Sequence, residues 1–255
     1  MDLRTAERCL HDRSGAAFAA AAGAGLPGQF RAFEHDGLLA LLTTSPGLGF
    51  LNSVCGQSLD ALPDVLAVFT AAGAPLPRLA TDGSALAGRL GQLGFGSANP
   101  RPVATIDLLP RPGFPTEPNG LRVTEALTPE QQRVFLDTLV AGYSAPPELS
   151  RFLRAEHSAG WMRCFVAWQG HQPVAAAAFS MHGHVAVLGG AATIPAARGS
   201  GAQTALLRHR LNRAAAAGAD AATATAAPES ASARNLARIG FNVRYRPGWL
   251  PVAPG

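Results

Sequence analysis

Apolar positions recur along the chain in short runs, and segments with the spacing of a helix separate these runs. In the first part of the chain the apolar runs predict strands, and two segments predict helices, from Asp60 to Gly73 and over residues 84–95, the latter ending in Gly-Phe. Strands and helices therefore alternate, which is typical of an α/β or α+β fold. The strands are predicted at 37–45, 48–56, 77–81 and 102–109.

The second part of the chain repeats this order of elements. Gly73 and Gly218, which end matching helices, are 145 residues apart, and the glycines of the two Gly-Phe pairs, Gly94 and Gly240, are 146 apart. This near-constant offset predicts an internal duplication of a βαβα unit; chance is the alternative, because glycine ends many helices. The strands of the second part are predicted at 164–170, 172–183, 184–195 and 219–227.

A proline-rich interval separates the two parts. Residues 99–120 contain repeated Pro and Gly, and from Pro110 onward these residues break both helices and strands. We therefore predict a first domain at 1–110, a linker at 111–120 and a second domain at 121–255.

The composition excludes several classes of protein. The 255 residues are 47% hydrophobic, but no apolar run reaches the ~18–20 residues of a membrane span, so we expect no membrane partner. The small-residue stretch near the start lacks the basic head of a signal peptide. Cys9, Cys55 and Cys164 are scattered without metal-ligand spacing, so we expect them to be small core residues of a cytoplasmic protein without a metal.

The charge of the chain does not indicate a nucleic-acid partner. The formal net charge is +4, and the chain has no lysine, so all 21 basic residues are arginines. These arginines are spread along the chain instead of forming a patch. We therefore expect no binding of nucleic acid.

The run Arg198-Gly199-Ser200-Gly201 carries the strongest chemical signal. It follows a strand that ends at Pro195, and an amphipathic helix begins directly after it. Glycines let the backbone approach a ligand, and the first N–H groups of a helix have no partner within that helix. A strand, a Gly-rich turn and a helix in this order are the general layout of a phosphate site, although Gly-x-Gly alone also occurs in ordinary turns.

The second part, from about Leu121 to Leu250, resembles the GCN5-related N-acetyltransferase (GNAT) superfamily. Its acyl-CoA motif, Arg/Gln-x-x-Gly-x-Gly/Ala, follows a strand ending in x-Pro; here Arg198-Gly199-Ser200-Gly201-Ala202 match it and Gln203 departs from it. The ending SARNLARIGF lies where the superfamily has a second CoA-contacting helix. The first part fits a degenerate copy, because the same offset from Arg198 leads to Asn52 and the arginine is missing.

The resemblance implies two tandem GNAT-like domains, each with a mixed, mostly antiparallel, splayed sheet flanked by helices. Acetyl-CoA would be the acyl donor, with its pyrophosphate on the N–H groups at the start of the helix and its pantetheine arm along the preceding strand. The residues expected to bind it are Ala191, Ala192, Thr193, Arg198, Gly199, Ser200, Gly201, Ala202, Gln203, Thr204 and Asn235.

The resemblance also implies an acceptor site over residues 142–161. Tyr143, Phe152 and Trp161 would give this site an aromatic lining, with a small-molecule amine as the substrate. Ordinary core packing is the alternative for these three residues. The amides of Ala192 or Thr193 would stabilise the negative charge that develops on the thioester oxygen.

Two side chains that the superfamily often uses are absent. Gly189 stands where many members have a glutamate base, and Leu236, which fits the core, stands where many have a tyrosine acid. Candidates for the base are Glu148, Glu156, His157 and His184, although each also fits the surface. Ser232 and Tyr245 are candidates for the acid, and Ser232 also fits the N-cap of a helix.

We therefore predict an acyl-CoA-dependent N-acyltransferase. It would transfer an acetyl group from acetyl-CoA to a small-molecule amine by direct attack on the thioester, as a monomer or a homodimer. Because the usual glutamate and tyrosine are missing, the alternative is a non-catalytic acyl-CoA-binding or regulatory protein.

Overall fold

Helices form where the sequence supplies both helical spacing and a start signal. The computed structural model describes residues 1–56, 60–81, 87–109, 113–115 and 120–252. The Thr128 side chain caps the fourth helix, and the side-chain oxygen of Gln131 accepts hydrogen bonds from the backbone N–H groups of Leu127 and Thr128, which completes a capping box. The helices in the described residues are α1 (Leu3–Gly23), α2 (Leu62–Ala71), α3 (Ala87–Gln92), α4 (Pro129–Tyr143), α5 (Pro147–His157), α6 (Ala202–Ala216) and α7 (Ala231–Ile239).

The described strands form one open sheet in the order β1-β2-β3-β4-β11-β5-β10-β9-β8-β7-β6. Most neighbours are antiparallel, whereas β3–β4 and β9–β10 are parallel. The predicted mixed, mostly antiparallel sheet flanked by helices is thereby confirmed. The strands are β1 (Phe30–His35), β2 (Leu38–Thr43), β3 (Ser53–Cys55), β4 (Arg78–Ala80), β5 (Phe95–Asp107), β6 (Leu121–Glu125), β7 (Met162–Gln169), β8 (Gln172–His182), β9 (Val185–Thr193), β10 (Ala221–Thr225) and β11 (Asn242–Pro251).

The two parts of the chain exchange their last strands. β5, from the first part, pairs with β10 of the second part, whereas β11, from the second part, pairs with β4 of the first. β5 and β11 also pair with each other along most of their length. The two predicted domains therefore contribute to one continuous sheet, with the exchanged strands at its centre.

Several predicted boundaries differ from the structure. The strand predicted at 102–109 begins earlier, at Phe95, and the strand predicted at 48–56 is limited to β3 because a short 3-10 turn precedes it. Part of the helix predicted at 84–95 and most of the linker lie outside the described residues. Within the linker, Asn212 of α6 exchanges two hydrogen bonds with the backbone of Phe114, at 2.7 and 2.8 Å.

β8 shows why the second part has a core on both faces of the sheet. Its run of buried alanines alternates between two clusters: Ala175 and Ala177 pack with α6, and Ala176 and Ala178 pack with α4. Small side chains on both faces let the two helices approach the strand closely. A continuous apolar run, without polar alternation, is typical of such a doubly covered strand.

α1 connects the first part of the chain to the second. Phe18 of α1 packs edge-on against Phe30 at 5.4 Å and against Phe152 of α5 at 6.1 Å, between ring centroids. α1 also contacts the central strands β5, β10, β9 and β8. α1 therefore covers the centre of the sheet, where the exchanged strands meet the second part, and α5 packs against α1.

Candidate active site

The turn between β9 and α6 presents an uncapped helix N-terminus. Gly199 and Gly201 have positive φ angles of 84° and 86°, a conformation that costs other residues about 1–2 kcal/mol. Gly201 is the N-cap of α6, and no side chain caps the helix there. The first N–H groups of α6 are therefore open to an external anion, as the glycine spacing predicts.

β9 has an open edge beside this turn. β9 and β10 pair only from Val185 to Val187 and then separate. Ile194 donates a backbone hydrogen bond to Val174 of β8 at 3.0 Å, and N–H groups alternate in direction along a strand. The amide of Ala192 therefore faces β8, whereas those of Ala191 and Thr193 face the open edge.

A cavity of about 510 Å³ lies between this open edge, the turn and α7, and we call it the loop cavity. The structure brings together in its lining every residue that was predicted to bind acetyl-CoA except Ser200. The hydroxyl of Ser200 is buried and has no hydrogen-bond partner among the described residues. The predicted residues in the lining are Ala191, Ala192, Thr193, Arg198, Gly199, Gly201, Ala202, Gln203, Thr204 and Asn235.

A second cavity of about 490 Å³ lies on the other side of the open edge, and we call it the arginine cavity. α1 and α5 cover it, and its floor is formed by the central strands from β3 to β9. Five arginines and two glutamates contribute to its lining: Arg13, Arg78, Arg101, Arg210, Arg246, Glu7 and Glu156. The loop cavity and the arginine cavity meet at five shared residues, which are Tyr143, Ala191, Arg210, Ser232 and Leu236.

Tyr143 is held at this junction by the strand edge. The backbone N–H of Ala191 donates a hydrogen bond to the Tyr143 hydroxyl at 3.2 Å. Desolvation raises the pKa of the phenol, so the hydroxyl is protonated at neutral pH. α4 can end this close to β9 because Gly142 has no side chain; a Cβ there would lie 2.7 Å from the Cβ of Ala192.

Arg13 of α1 reaches across to the second part of the chain. Its guanidinium forms an ion pair with Glu156 of α5 at 2.6 Å. Its Nη2 also lies 2.5 Å from the position that a Cβ on Gly189 would occupy. The pair therefore fills the space where a side chain at 189 would begin, and it brings a carboxylate to the side of β9 that faces the arginine cavity.

His157 is buried beneath Gly190 of β9. Its Nδ1 lies 2.9 Å from the carbonyl oxygen of Leu153, and its Nε2 has no partner among the described residues. Desolvation lowers its pKa. A Cβ on Gly190, whose φ is +53°, would overlap Nε2. The prediction that Glu156 and His157 are surface residues was wrong, because α1 and α4 cover them; they are 4% and 1% exposed.

Arg210 lies between the two cavities as a buried cation. Its Nη1 donates to the carbonyl oxygen of Ala178 at 2.9 Å and its Nε to that of Leu206 at 3.4 Å. Burial lowers its pKa to about 10, so the guanidinium remains charged at neutral pH. Backbone carbonyls therefore compensate this charge. No carboxylate among the described residues pairs with it.

The remaining candidate residues are distributed unevenly. Ser232 lines both cavities; its interpretation as an N-cap was wrong, because Ser230 caps α7. His184, Glu148 and Tyr245 line neither cavity: His184 is near the carbonyl of Gly218, Glu148 pairs with Arg151, and Tyr245 is 54% exposed on β11.

The aromatic residues that were expected to line the acceptor site do not all reach it. Tyr143 and Phe152 line the arginine cavity, whereas Trp161 packs against the core beside α4. Leu236 is buried in the core, as expected, and also borders both cavities. Sequence reasoning missed the arginines of the second cavity, because each lies on a different element and no local motif connects them.

The described residues contain neither a membrane-spanning helix nor a metal-binding cluster. Among the helices that the structure describes, none has the length and apolar character to cross a membrane. Residues 1–56, 60–81, 87–109, 113–115 and 120–252 contain no group of three or more His, Cys, Asp or Glu side chains that could hold a metal ion.

Comparisons with known proteins agree with this geometry. Residues 124–241 match the model of the Acetyltransferase (GNAT) family. A GCN5-related N-acetyltransferase from Kribbella flavida has a similar structure, with a TM-score of 0.61, 19% sequence identity, and coverage of 92% of this chain and 94% of that chain. The matched residues include the whole lining of the loop cavity.

Two further solved structures share the fold over most of this chain. A GCN5-related N-acetyltransferase from Sphaerobacter thermophilus has a TM-score of 0.60 at 16% identity, covering 86% of this chain and 78% of that chain. A tandem GNAT protein from the clavulanic acid biosynthesis pathway has a TM-score of 0.57 at 13% identity, covering 94% and 88%. A comparison with curated proteins found no match.

Proposed function

We propose, from the premise that this chain belongs to the GNAT superfamily through residues 124–241, that it transfers an acetyl group from acetyl-CoA to a small-molecule amine. One observation supports this most directly. The loop cavity and the arginine cavity meet at the open edge of β9. A donor in the first cavity and an acceptor in the second would therefore meet at a strand edge to which the amide of Thr193 is directed.

The loop cavity fits the phosphate-bearing end of acetyl-CoA. The uncapped N-terminus of α6 provides N–H donors, and the positive end of the helix dipole favours an anion. Arg198 and Asn235 add polar side chains to the lining. Acetyl-CoA supplies an acetyl group activated as a thioester; the protein has to position that group beside Thr193 and hold the amine opposite it.

We assign the base to Glu156. A carboxylate on β9 itself is missing, because Gly189 and Gly190 occupy that part of the strand. Glu156 brings a carboxylate to the same region from α5, and it lines the arginine cavity. The ion pair with Arg13 orients this carboxylate. Glu156 would take a proton from the ammonium group of the acceptor, directly or through a water molecule.

Acyl transfer also requires stabilisation of the oxyanion and protonation of the departing thiolate. Backbone and hydroxyl groups at the junction would meet these two requirements. The amide of Thr193 faces the open edge and would stabilise the negative charge that develops on the thioester oxygen. The hydroxyls of Tyr143 and Ser232 line both cavities and could give a proton to the departing thiolate. Tyr143 is the better donor by position, because Ala191 fixes its oxygen.

The first part of the chain acts in this proposal as a partner that shapes the acceptor site. The constant offset of the helix-ending glycines and the exchange of β5 and β11 support its origin as a second, degenerate GNAT copy without a coenzyme site. The three free thiols fit a reducing compartment, and we propose that the protein acts in the cytoplasm.

A titration and an activity assay test the proposal together. Calorimetry measures binding of acetyl-CoA, and release of free thiol from acetyl-CoA with a panel of amines measures turnover. We expect binding and amine-dependent thiol release. Binding without release for any amine would favour a non-catalytic acyl-CoA-binding protein, and absence of binding would exclude both functions.

A further inference from the structure

Three arginines lie close together in the arginine cavity, on the strands that the two parts of the chain exchange and on β4 beside them. Arg78 is on β4, Arg246 on β11 and Arg101 on β5, which are neighbouring strands. Arg246 and Arg101 are direct partners across the β11–β5 pair. Like charges directly opposite each other destabilise a sheet. The pair therefore lowers the stability of the sheet and concentrates positive charge at this position.

The carboxylates nearby do not balance this charge. Among the described residues, Glu156 pairs with Arg13 and Glu7 pairs with Arg246, the latter at 2.9 Å. Arg78 and Arg101 line the same cavity and have no carboxylate partner in the part of the chain that the structure describes. The lining therefore has a net positive charge that no described side chain neutralises.

Arg246 has hydrogen-bonding capacity that remains unused. It is only 9% exposed, and its Nε is buried without a partner among the described residues. A buried donor without a partner costs stability unless a ligand or water satisfies it. Desolvation and the charges of Arg78 and Arg246 both lower the pKa of Arg101, so an anion at this position would relieve the repulsion.

We propose that Arg78, Arg101 and Arg246 form an anion subsite that binds an oxyanion group on the acceptor. The acceptors are therefore small amines that also carry an acid group, and a carboxylate is the group we favour, as in amino acids. This inference rests on the proposed function, and it names the substrate class of the same site. Arginine recognises carboxylate and phosphate with the same planar pair of N–H donors.

The dimensions of the cavity agree with this class. A volume of about 490 Å³ lies in the lower half of the range for small-molecule sites, which is about 300–1,000 Å³. Ala191 lines the cavity from β9 and Glu156 from α5, whereas the three arginines line it from β4, β11 and β5, at least two strands away from β9 in the sheet. An acceptor with an amine and an acid group at its two ends would be oriented by both, with the amine towards β9.

Matched pairs of amines test the charge requirement. The assay compares amino acids with their carboxamides, and O-phosphoethanolamine with ethanolamine, by thiol release from acetyl-CoA. We expect the acid member of a pair to have a kcat/KM at least about 10-fold higher than its neutral partner. Preference for amino acids would identify carboxylate as the ligand, and preference for the phosphorylated amine would identify phosphate.

Arg101→Gln and Arg78→Gln test which residues provide this preference. Each should raise KM for the acid acceptor about 10- to 100-fold and change KM for the neutral partner little. The affinity for acetyl-CoA should not change, because neither residue lines the loop cavity. Arg122→Gln is the control: Arg122 is exposed on the edge strand β6, where it stacks over Trp168.

The failure of this inference is distinct from the failure of the proposed function. Equal kcat/KM for acid and neutral amines, or a preference that survives Arg101→Gln, would overturn the anion subsite and leave the acetyltransferase intact. If no amine is acetylated, calorimetry with the protein–CoA complex gives a second measurement. Binding of the amino acids but not of their carboxamides, lost in Arg101→Gln, would support the subsite, and no difference would overturn it.

Discussion

Arg13 and Glu156 form a buried ion pair of 2.6 Å between the first helix of the chain and the fifth. The pair lies against Gly189, where a side chain on β9 would overlap the guanidinium. A carboxylate beside β9 is therefore supplied from α5 and fixed by a residue from the first part of the chain. Neither part could build this arrangement alone.

Glu156→Gln tests the assignment of the base. The amide keeps the size of the side chain and loses the ability to accept a proton, so kcat should fall about 100-fold or more, with unchanged affinity for acetyl-CoA. Unfolding should be measured as well, because loss of one partner from a buried pair can cost about 3–5 kcal/mol. Steady-state kinetics at saturating acetyl-CoA gives the result.

Glu148→Gln is the matched control for this variant. Glu148 lies on the same helix, is 40% exposed at its side chain and lines neither cavity. We expect activity close to that of the wild type. A larger loss in Glu148→Gln than in Glu156→Gln would show that the base has been assigned to the wrong carboxylate.

Gly201→Val tests the loop cavity. A β-branched side chain at the N-cap of α6 would project near the first N–H groups of the helix, and we expect Kd for acetyl-CoA to rise at least about 10-fold. Gly218→Val is the control, because Gly218 has nearly the same φ, +88°, and lines neither cavity. Both variants should lose about 2 kcal/mol of stability through backbone strain. Equal affinity for acetyl-CoA in both would contradict the loop as the phosphate site.

Gly190→Ala tests the fit between β9 and His157. Its Cβ would overlap Nε2 of His157, and its φ of +53° is already unfavourable for alanine. We expect a loss of about 3 kcal/mol or more in the free energy of unfolding, measured with urea. Gly183→Ala has a φ of +57° with open space around the Cβ, so it should lose only about 1 kcal/mol. Similar losses in the two variants would mean that His157 moves aside easily.

Local signals in the sequence were sufficient to predict the turn that borders the loop cavity. The glycines that adopt positive φ, the strand before them and the helix after them are neighbours in the sequence, so their arrangement depends on short-range geometry. The open edge of β9 was expected from the resemblance, which implies a splayed sheet. Leu236 was placed in the core because apolar residues recur at helical spacing on α7.

The arginine cavity could not be predicted because its residues meet through long-range topology. Arg246 and Glu7 are 239 positions apart in the sequence, and they meet only because β11 enters the sheet beside β4. The sequence predicts a surface position for Glu156, because the polar character of α5 indicates a side that faces solvent. Only the packing of α1 over α5 shows that this side is covered.

The pH dependence of stability provides a test of the burial of His157. Burial lowers its pKa in the folded protein, with a smaller opposing effect from Glu156, whereas the unfolded chain should titrate near 6.5. Between these two values the unfolded state binds more protons, so the free energy of unfolding falls as the pH decreases below about 6.5. In His157→Gln, the loss of stability between about pH 7.5 and pH 5 should therefore be smaller than in the wild type. An unchanged dependence in His157→Gln would show that this imidazole is hydrated in the folded protein and would contradict its burial.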